Sequence, residues 1–492
     1  MGNFEDLGTF TGNSIIRNGD IRILDRSDVF KFRVSNNAQI NLNLYNISAG
    51  DDANLRLYQD TNNNGILDFG DQKVASSLQG GNANDVINYS ATSGTYFAQV
   101  RRYARGSNGI VSYDLELSGS TTTTGTGTTP TSKPNTYQPF NPNEVFSLNS
   151  NPGADHIIYL DFDGHTTTGT DWNDDYGNAI VTPAYDTDGD TSNFSTAEKE
   201  TIWHIWQRVA EDFSPFNVNV TTAQPSDDQL KKTSGSDSQW GIRVVIGGDG
   251  SWYKPGTVGV GYIDSFNDDI DTPTFVFSEV YNGSEKGVAE TITHEVGHTL
   301  GLEHDGNFTT EYYSGHGSGP TGWAPIMGNG DFKDLTQWSQ GEYTGATNKE
   351  DDLDIITGQN GFGYRGDDYS NSRTGAAALS INDSQVENYG IIEQNNDIDW
   401  FQFNSTTGNI ALGIDPFERG ANLDILAKLY NASGQLISFS NPIGSLSASF
   451  NVNLDPGQYY LSVEGIGQRN LITGGYTDYG SLGQYSITGT IA

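Results

Sequence analysis

The stretch HEVGHTLGLEH, residues 294–304, decides how the rest of this chain is read. His294 and His298 stand four residues apart, so on a helix they share one face about 6 Å apart by rise and their imidazoles can converge on one ion. Glu295 lies beside them, in reach of water at that ion without being a ligand. His304 follows six residues after His298 and is out of reach if the helix simply continues. Gly301 can resolve this, because a left-handed turn there ends the helix and swings His304 back under the metal. Three neutral imidazoles leave the fourth tetrahedral position of a zinc ion open to water, as in a catalytic rather than a structural site. An HExxH pattern also arises by chance on amphipathic helices. Here three of the chain's seven histidines fall within this short stretch, and zinc is the expectation.

Outward from this motif, Ala289, Ile292, Val296 and Leu300 form an apolar stripe that predicts a helix from about Ser284 to Leu300. An earlier helix opens at the capping box of Ser195 and Glu198, with Ile202, Ile205, Trp206, Val209 and Phe213 at helical spacing. HIIYLDFDG (156–164), NVNVTT (217–222), GIRVVIGG (241–248), TVGVGYID (257–264) and TFVFSEVY (274–281) read as strands. Strand, helix, strands, helix implies an α+β domain. Gly259, Val260 and Gly261 mark the strand expected to pair with an extended substrate, the alternative being a plain sheet strand with a bulge. His316, in the Gly-rich approach to Met327, is a candidate cleft residue. His156, His165 and His204 read as packing or surface residues.

The flanks differ in kind from this segment and resemble each other. DVFKFRVSNNAQINLNLY (28–45) aligns with DWFQFNSTTGNIALGI (399–414), and SGTYFAQV (93–100) with PGQYYLSV (456–463). Both are period-two apolar runs separated by Gly, Asn and Asp turns, the pattern of an antiparallel β-sandwich. The organisation expected is a sandwich at 1–118, a flexible Thr/Gly/Pro linker at 119–145, an α+β domain with a mixed sheet at 146–365, and a second sandwich at 366–492. Both flanks are expected to be separable from catalysis.

The chain has 492 residues, with 62 acidic against 25 basic side chains and a net charge of −37. Residues 150–360 hold 35 of those acids and only 9 of the bases. Such a charge repels phosphate backbones and anionic lipid, so neither nucleic acid nor a membrane surface is an expected partner. Cysteine is absent, which excludes disulfides, thiolate nucleophiles and a thiol zymogen switch. No apolar run is long enough to span a bilayer, and no basic-then-apolar leader opens the chain. Two acidic clusters point to calcium, with solvated turns as the alternative. Asp60, Asn62, Asn64, Asp68 and Asp71 occupy positions 1, 3, 5, 9 and 12 of a twelve-residue loop. Asp186, Asp188 and Asp190 form the second.

HExxHxxGxxH followed by Met327 in the turn-like APIMGNG resembles the metzincin clan of zinc endopeptidases, and Asp305 directly after His304 resembles its adamalysin or reprolysin-like branch. The resemblance implies His294, His298 and His304 as ligands, Glu295 as general base, Met327 as an apolar floor and Asp305 as support for the site. Serralysins and astacins carry a ligating Tyr two residues after the Met; Asn329 stands here, so no tyrosine ligand is expected from that position. The order Asp-Trp-Phe-x-Phe, Leu-Tyr-Asn-Ala-Ser-Gly, Pro-Gly-x-Tyr-Tyr-Leu-x-Val resembles bacterial pre-peptidase C-terminal domains, well at the C-terminus and more loosely at the N-terminus. Together these imply a secreted bacterial enzyme that hydrolyses protein or peptide substrates with a zinc-activated water; the sequence leaves its oligomeric state open, with a monomer as the expectation. The competing reading is an extracellular adhesion or matrix-binding protein with a vestigial zinc domain.

Overall fold

The computed structural model describes the chain apart from residues 1–3, 11–14, 23–26, 35–37, 50, 62–64, 69–70, 93, 105–109, 122–132 and 469–474. It divides into two compact units, Met1–Thr126 and Gly127–Ala492.

The first unit contains β1 (Phe4–Phe10), β2 (Ile15–Arg22), β3 (Ser27–Val34), β4 (Ala38–Tyr45), β5 (Asp52–Gln59), β6 (Gln72–Ser77), β7 (Asp85–Ala91), β8 (Gly94–Ala104) and β9 (Ile110–Thr121). They form two sheets, ordered β1-β3-β8-β5-β6 and β2-β9-β4-β7. Period-two patterning drives this: along β3, Phe30, Phe32 and Val34 are buried while Arg33 faces solvent. Asp28 lies on the same inner face, where the Tyr113 hydroxyl donates to it at 2.8 Å.

The second unit begins with β10 (His156–Asp161), β11 (His165–Thr167), α1 (Asp171–Tyr176), β12 (Ile180–Thr182), α2 (Thr196–Asp212), β13 (Val218–Thr221), β14 (Gly241–Ile246), β15 (Gly259–Val260), β16 (Thr274–Val276) and α3 (Glu285–Thr299). The central sheet has the order β13-β10-β14-β16-β15, parallel except for β15, which is the antiparallel edge. Helix α2 starts at the expected capping box, with Ser195 and Glu198 satisfying each other's backbone donors. Ile202, Ile205, Trp206 and Val209 bury its inner face. Two expected strands are shorter than their apolar patterns. TVGVGYID pairs at Gly259 and Val260, with the Val258 carbonyl accepting from the Phe277 N–H at 2.9 Å, and further on Asp264 is left-handed. TFVFSEVY stops at Val276 and continues as a 3-10 turn over Ser278–Tyr281.

After β17 (Trp323–Pro325), β18 (Leu335–Gln337) and α4 (Asp352–Gln359) the chain enters a second sandwich of β19 (Ala377–Ala378), β20 (Ile381–Asn382), β21 (Gln385–Ile392), β22 (Ile398–Ser405), β23 (Gly408–Pro416), β24 (Ile425–Asn431), β25 (Leu436–Ser440), β26 (Ala448–Leu454), β27 (Gly457–Gly465) and β28 (Gly483–Ile491). Its sheets, β19-β22-β27-β24-β25 and β20-β21-β28-β23-β26, repeat the strand order of the first sandwich with β20 added. The edge strands β1 and β19 occupy equivalent places and pair in parallel, β1 with β3 and β19 with β22. Tyr485 donates to Asp399 as Tyr113 does to Asp28.

The expected boundary at 365/366 separates sheets but not cores. One apolar cluster runs from Val145 to Ile491. At the end of α2, Glu211 is fully buried and accepts from the Gln484 backbone at 3.0 Å and its side chain at 2.7 Å, while Asn422 donates to Asp212 at 2.9 Å. The C-terminal flank is therefore not a separable module, because removing it would expose apolar core and strip hydrogen bonds from two buried carboxyls. No helix among the described residues is long and apolar enough to cross a membrane.

Candidate metal centre and cleft

Helix α3 ends as the sequence requires. Gly301 has φ of +101°, its N–H reaches the His298 carbonyl at 2.9 Å, and the Leu302 N–H reaches back to Gly297 at 3.0 Å. This pair of bonds satisfies the last helical carbonyls and reverses the chain. His304 is thereby brought to His294 and His298, and one nitrogen from each ring falls within 4.8 Å of the others.

The far side of each ring fixes its tautomer. Nδ1 of His294 donates to the Ile326 carbonyl at 3.0 Å, that of His298 to the Leu302 carbonyl at 2.7 Å, and that of His304 to the Glu311 carboxylate at 2.9 Å. With Nδ1 protonated in all three, each Nε2 carries a lone pair. Burial pushes the His294 pKa down to about 3 and the His298 pKa to about 4, holding both rings neutral. His298 and His304 set their Nε2 atoms 2.9 Å apart. Two facing lone pairs at that distance repel unless a cation lies between them, so the donor set fits a divalent metal.

Glu295 lies outside this set, 6% exposed, with burial pushing its pKa up to about 8 and the Gly261 N–H donating to it. A Cβ on Gly259 would stand 2.7 Å from its Oε1 and one on Gly261 3.0 Å from its backbone oxygen. The two glycines thus let the edge of the sheet close onto α3. Met327 is fully buried against the same helix, where a Cβ on Gly297 would meet its Sδ at 2.4 Å. Asp305 is buried; its N–H bonds the Met327 carbonyl at 2.8 Å and its carboxylate accepts from Tyr343 at 3.3 Å. It ties the ligand loop to the methionine turn.

A cavity of about 310 Å³ opens beside His294 and Glu295, walled by Val258, Tyr281 and Ile326 and reaching Glu290 and Asp331. Val260 and Gly261 line a neighbouring depression instead. His316 does not line the cavity, contrary to expectation: Tyr313 engages its Nδ1 at 2.9 Å and the Gly475 carbonyl its Nε2 at 3.1 Å, a tie to the C-terminal sandwich. Tyr312 takes that place. Its ring lies 4.3 Å from His304 and it lines the cavity with Glu295. No motif marks Tyr312 or Glu311.

The acidic clusters are rearranged too. Asp186 and Asp188 group with Glu198 of α2, whereas Asp190 turns to Ser192 and leaves the set. In the β5–β6 connection Asp60 accepts the Gly65 N–H at 2.8 Å and Asp71 the Asp68 N–H at 2.7 Å. Burial, with Asp60 and Asp68 nearby, raises the Asp71 pKa. Asn62 and Asn64 lie outside the described residues. A grouping the sequence did not reveal is at the start of the second sandwich, where Asp367 lies with Glu393 and Asp397, and again with Asp368 and Asp399. Glu393, Asp397 and Asp399 are almost wholly buried, and both oxygens of Glu393 and one each of Asp368, Asp397 and Asp399 meet no hydrogen-bond donor.

Residues 26–102 match the bacterial pre-peptidase C-terminal domain family, and that part of the chain is such a domain. Among solved structures the chain is similar to the pre-peptidase C-terminal domain of a collagenase from Bacillus anthracis, at 22% identity over 24% of this chain and 96% of that one, with a TM-score of 0.18. It is also similar to PliG of Aeromonas hydrophila, a periplasmic inhibitor of g-type lysozyme, at 14% identity over 24% of this chain and 99% of that one, TM-score 0.17. No curated protein matches the chain.

Proposed function

We propose that the chain is a secreted zinc endopeptidase of the metzincin type, cutting protein or peptide substrates between α3 and the β15 edge. The observation that carries this reading is the convergence of three Nε2 lone pairs beside a buried carboxylate that belongs to no ligand set. Zinc held by His294, His298 and His304 supplies Lewis acidity for the scissile carbonyl and brings the pKa of water toward neutrality. Glu295 accepts the proton of the attacking water and returns it to the leaving amine. The Gly261 N–H holds that carboxylate in place. Strand β15 has a sheet neighbour on one side only, which leaves its other side for an extended peptide. The pre-peptidase C-terminal domain, by its name a companion of peptidases, supports the secreted assignment. Glu295→Ala tests the mechanism: zinc content should persist while turnover falls by about 10²–10⁴-fold. Undiminished turnover in that variant would refute it.

A second reading concerns stability. We infer that Asp367, Asp368, Glu393, Asp397 and Asp399 hold calcium, for which carboxylate oxygens are the natural ligands. Burying several like charges without a counterion costs several kcal/mol per ion, on the order of a whole domain's stability. Arg365 offsets only part of this by lowering the pKa of Asp368.

A further inference from the structure

We propose that the cavity beside His294 and Glu295 receives a cationic side chain, so that the preferred cleavage site has Lys or Arg next to the scissile bond. This rests on the proteolytic reading and adds a substrate class to it. The cavity follows α3 toward its N-terminus: Glu290 lies four residues before His294, one helical turn or about 6 Å further along the groove. Its near walls, Val258, Tyr281 and Ile326, are apolar or aromatic, and its far end holds the carboxylates of Glu290 and Asp331.

The charges at that end do not balance. Lys286 pairs with Glu290 at 2.5 Å, and Thr336 adds a donor at 3.3 Å. Asp331 has only the Tyr281 hydroxyl at 3.4 Å on its side chain and forms no ion pair among the described residues. Half-buried beside Glu290, it has its pKa raised by burial and by that neighbour. One ammonium thus faces two acids at the cavity's far end. A lysine or arginine entering past His294 would lay its aliphatic stem on the apolar walls and carry the missing positive charge to Asp331. The surplus of acids over residues 150–360 draws basic peptides toward this cleft as well.

The test is a digest of a mixed peptide library by the zinc-loaded full chain, with a binding measurement beside it. Lys and Arg should be enriched at one position adjoining the cut, and Asp331→Asn and Glu290→Gln should each reduce that enrichment about 10-fold or more, the worth of a charge-assisted hydrogen bond. Calorimetry on the Glu295→Gln protein reads the same preference without hydrolysis. A peptide with Lys at that position should bind more tightly than its norleucine counterpart, and the advantage should shrink in high salt. Cleavage with an aliphatic preference unchanged by Asp331→Asn would overturn the inference and leave proteolysis standing. An absence of any cleavage counts against the proteolytic reading, and equal binding of the two peptides then disposes of the cationic pocket as well.

Discussion

His298 and His304 present their Nε2 atoms to each other at 2.9 Å while each has its Nδ1 proton committed on the opposite side of the ring. A packing histidine normally spends one nitrogen as donor and the other as acceptor, as His316 does between Tyr313 and Gly475. The arrangement at 298 and 304 wastes two acceptors unless a cation uses them.

The acceptor behind His304 is Glu311, on a mostly exposed carboxylate. Glu311→Gln should leave the fold intact and weaken zinc binding about 10-fold, the lower end for a residue that orients a ligand. Titration of the zinc-loaded protein with a competing chelator reads this. An unchanged affinity would mean that His304 needs no such partner.

Gly259→Ala probes the approach of the sheet edge to the general base. The added methyl would meet Glu295 Oε1 at 2.7 Å and Thr291 Cγ2 at 2.6 Å, so either the carboxylate or the strand must move. Misplacing a catalytic group by about 1 Å costs on the order of 10²-fold in rate. We expect that loss in kcat with zinc stoichiometry unchanged, measured by steady-state kinetics and metal analysis on one preparation.

The buried carboxylates give a pH dependence with a definite sign. Desolvation raises the pKa of Asp367 to about 7 and of Asp397 to about 6 from an unperturbed 3.8, and it holds Asp368, Glu393 and Asp399 well above their ordinary carboxyl values. Between about pH 4 and 7 the calcium-free native state therefore binds protons that the unfolded chain has released, and stability falls as pH rises through that window. Calcium replaces those protons, so melting curves with millimolar calcium should be displaced upward most at pH 8 and least at pH 5. Asp399→Asn should diminish the displacement. Equal melting temperatures with calcium and with a calcium chelator at pH 8 would remove the calcium reading.

Much of this was legible in the chain. Spacing along 294–304 specified the helix, its end at Gly301 and the return of His304, because each step is a local consequence of backbone geometry. Period-two runs gave the twin sandwiches, whose strand orders match. What escaped depends on tertiary burial. GDDYS and EQNNDIDW look like solvated turns, and nothing local distinguishes a hydrated Asp399 from one sealed against Tyr485. Tyr312 and Glu311 join the centre through a loop whose path no periodicity encodes. Docking of the second sandwich on Glu211 and Asp212 was hidden for the same reason, since polar residues at a helix end read as surface.

The central claim is most directly tested by removing metal from the full chain with a strong zinc chelator and following peptide-bond cleavage as zinc is restored. The account predicts no cleavage without metal and full recovery at one equivalent of zinc per chain. Cleavage that persists in the metal-free protein, or a chain that binds one zinc and cleaves no peptide, would contradict it.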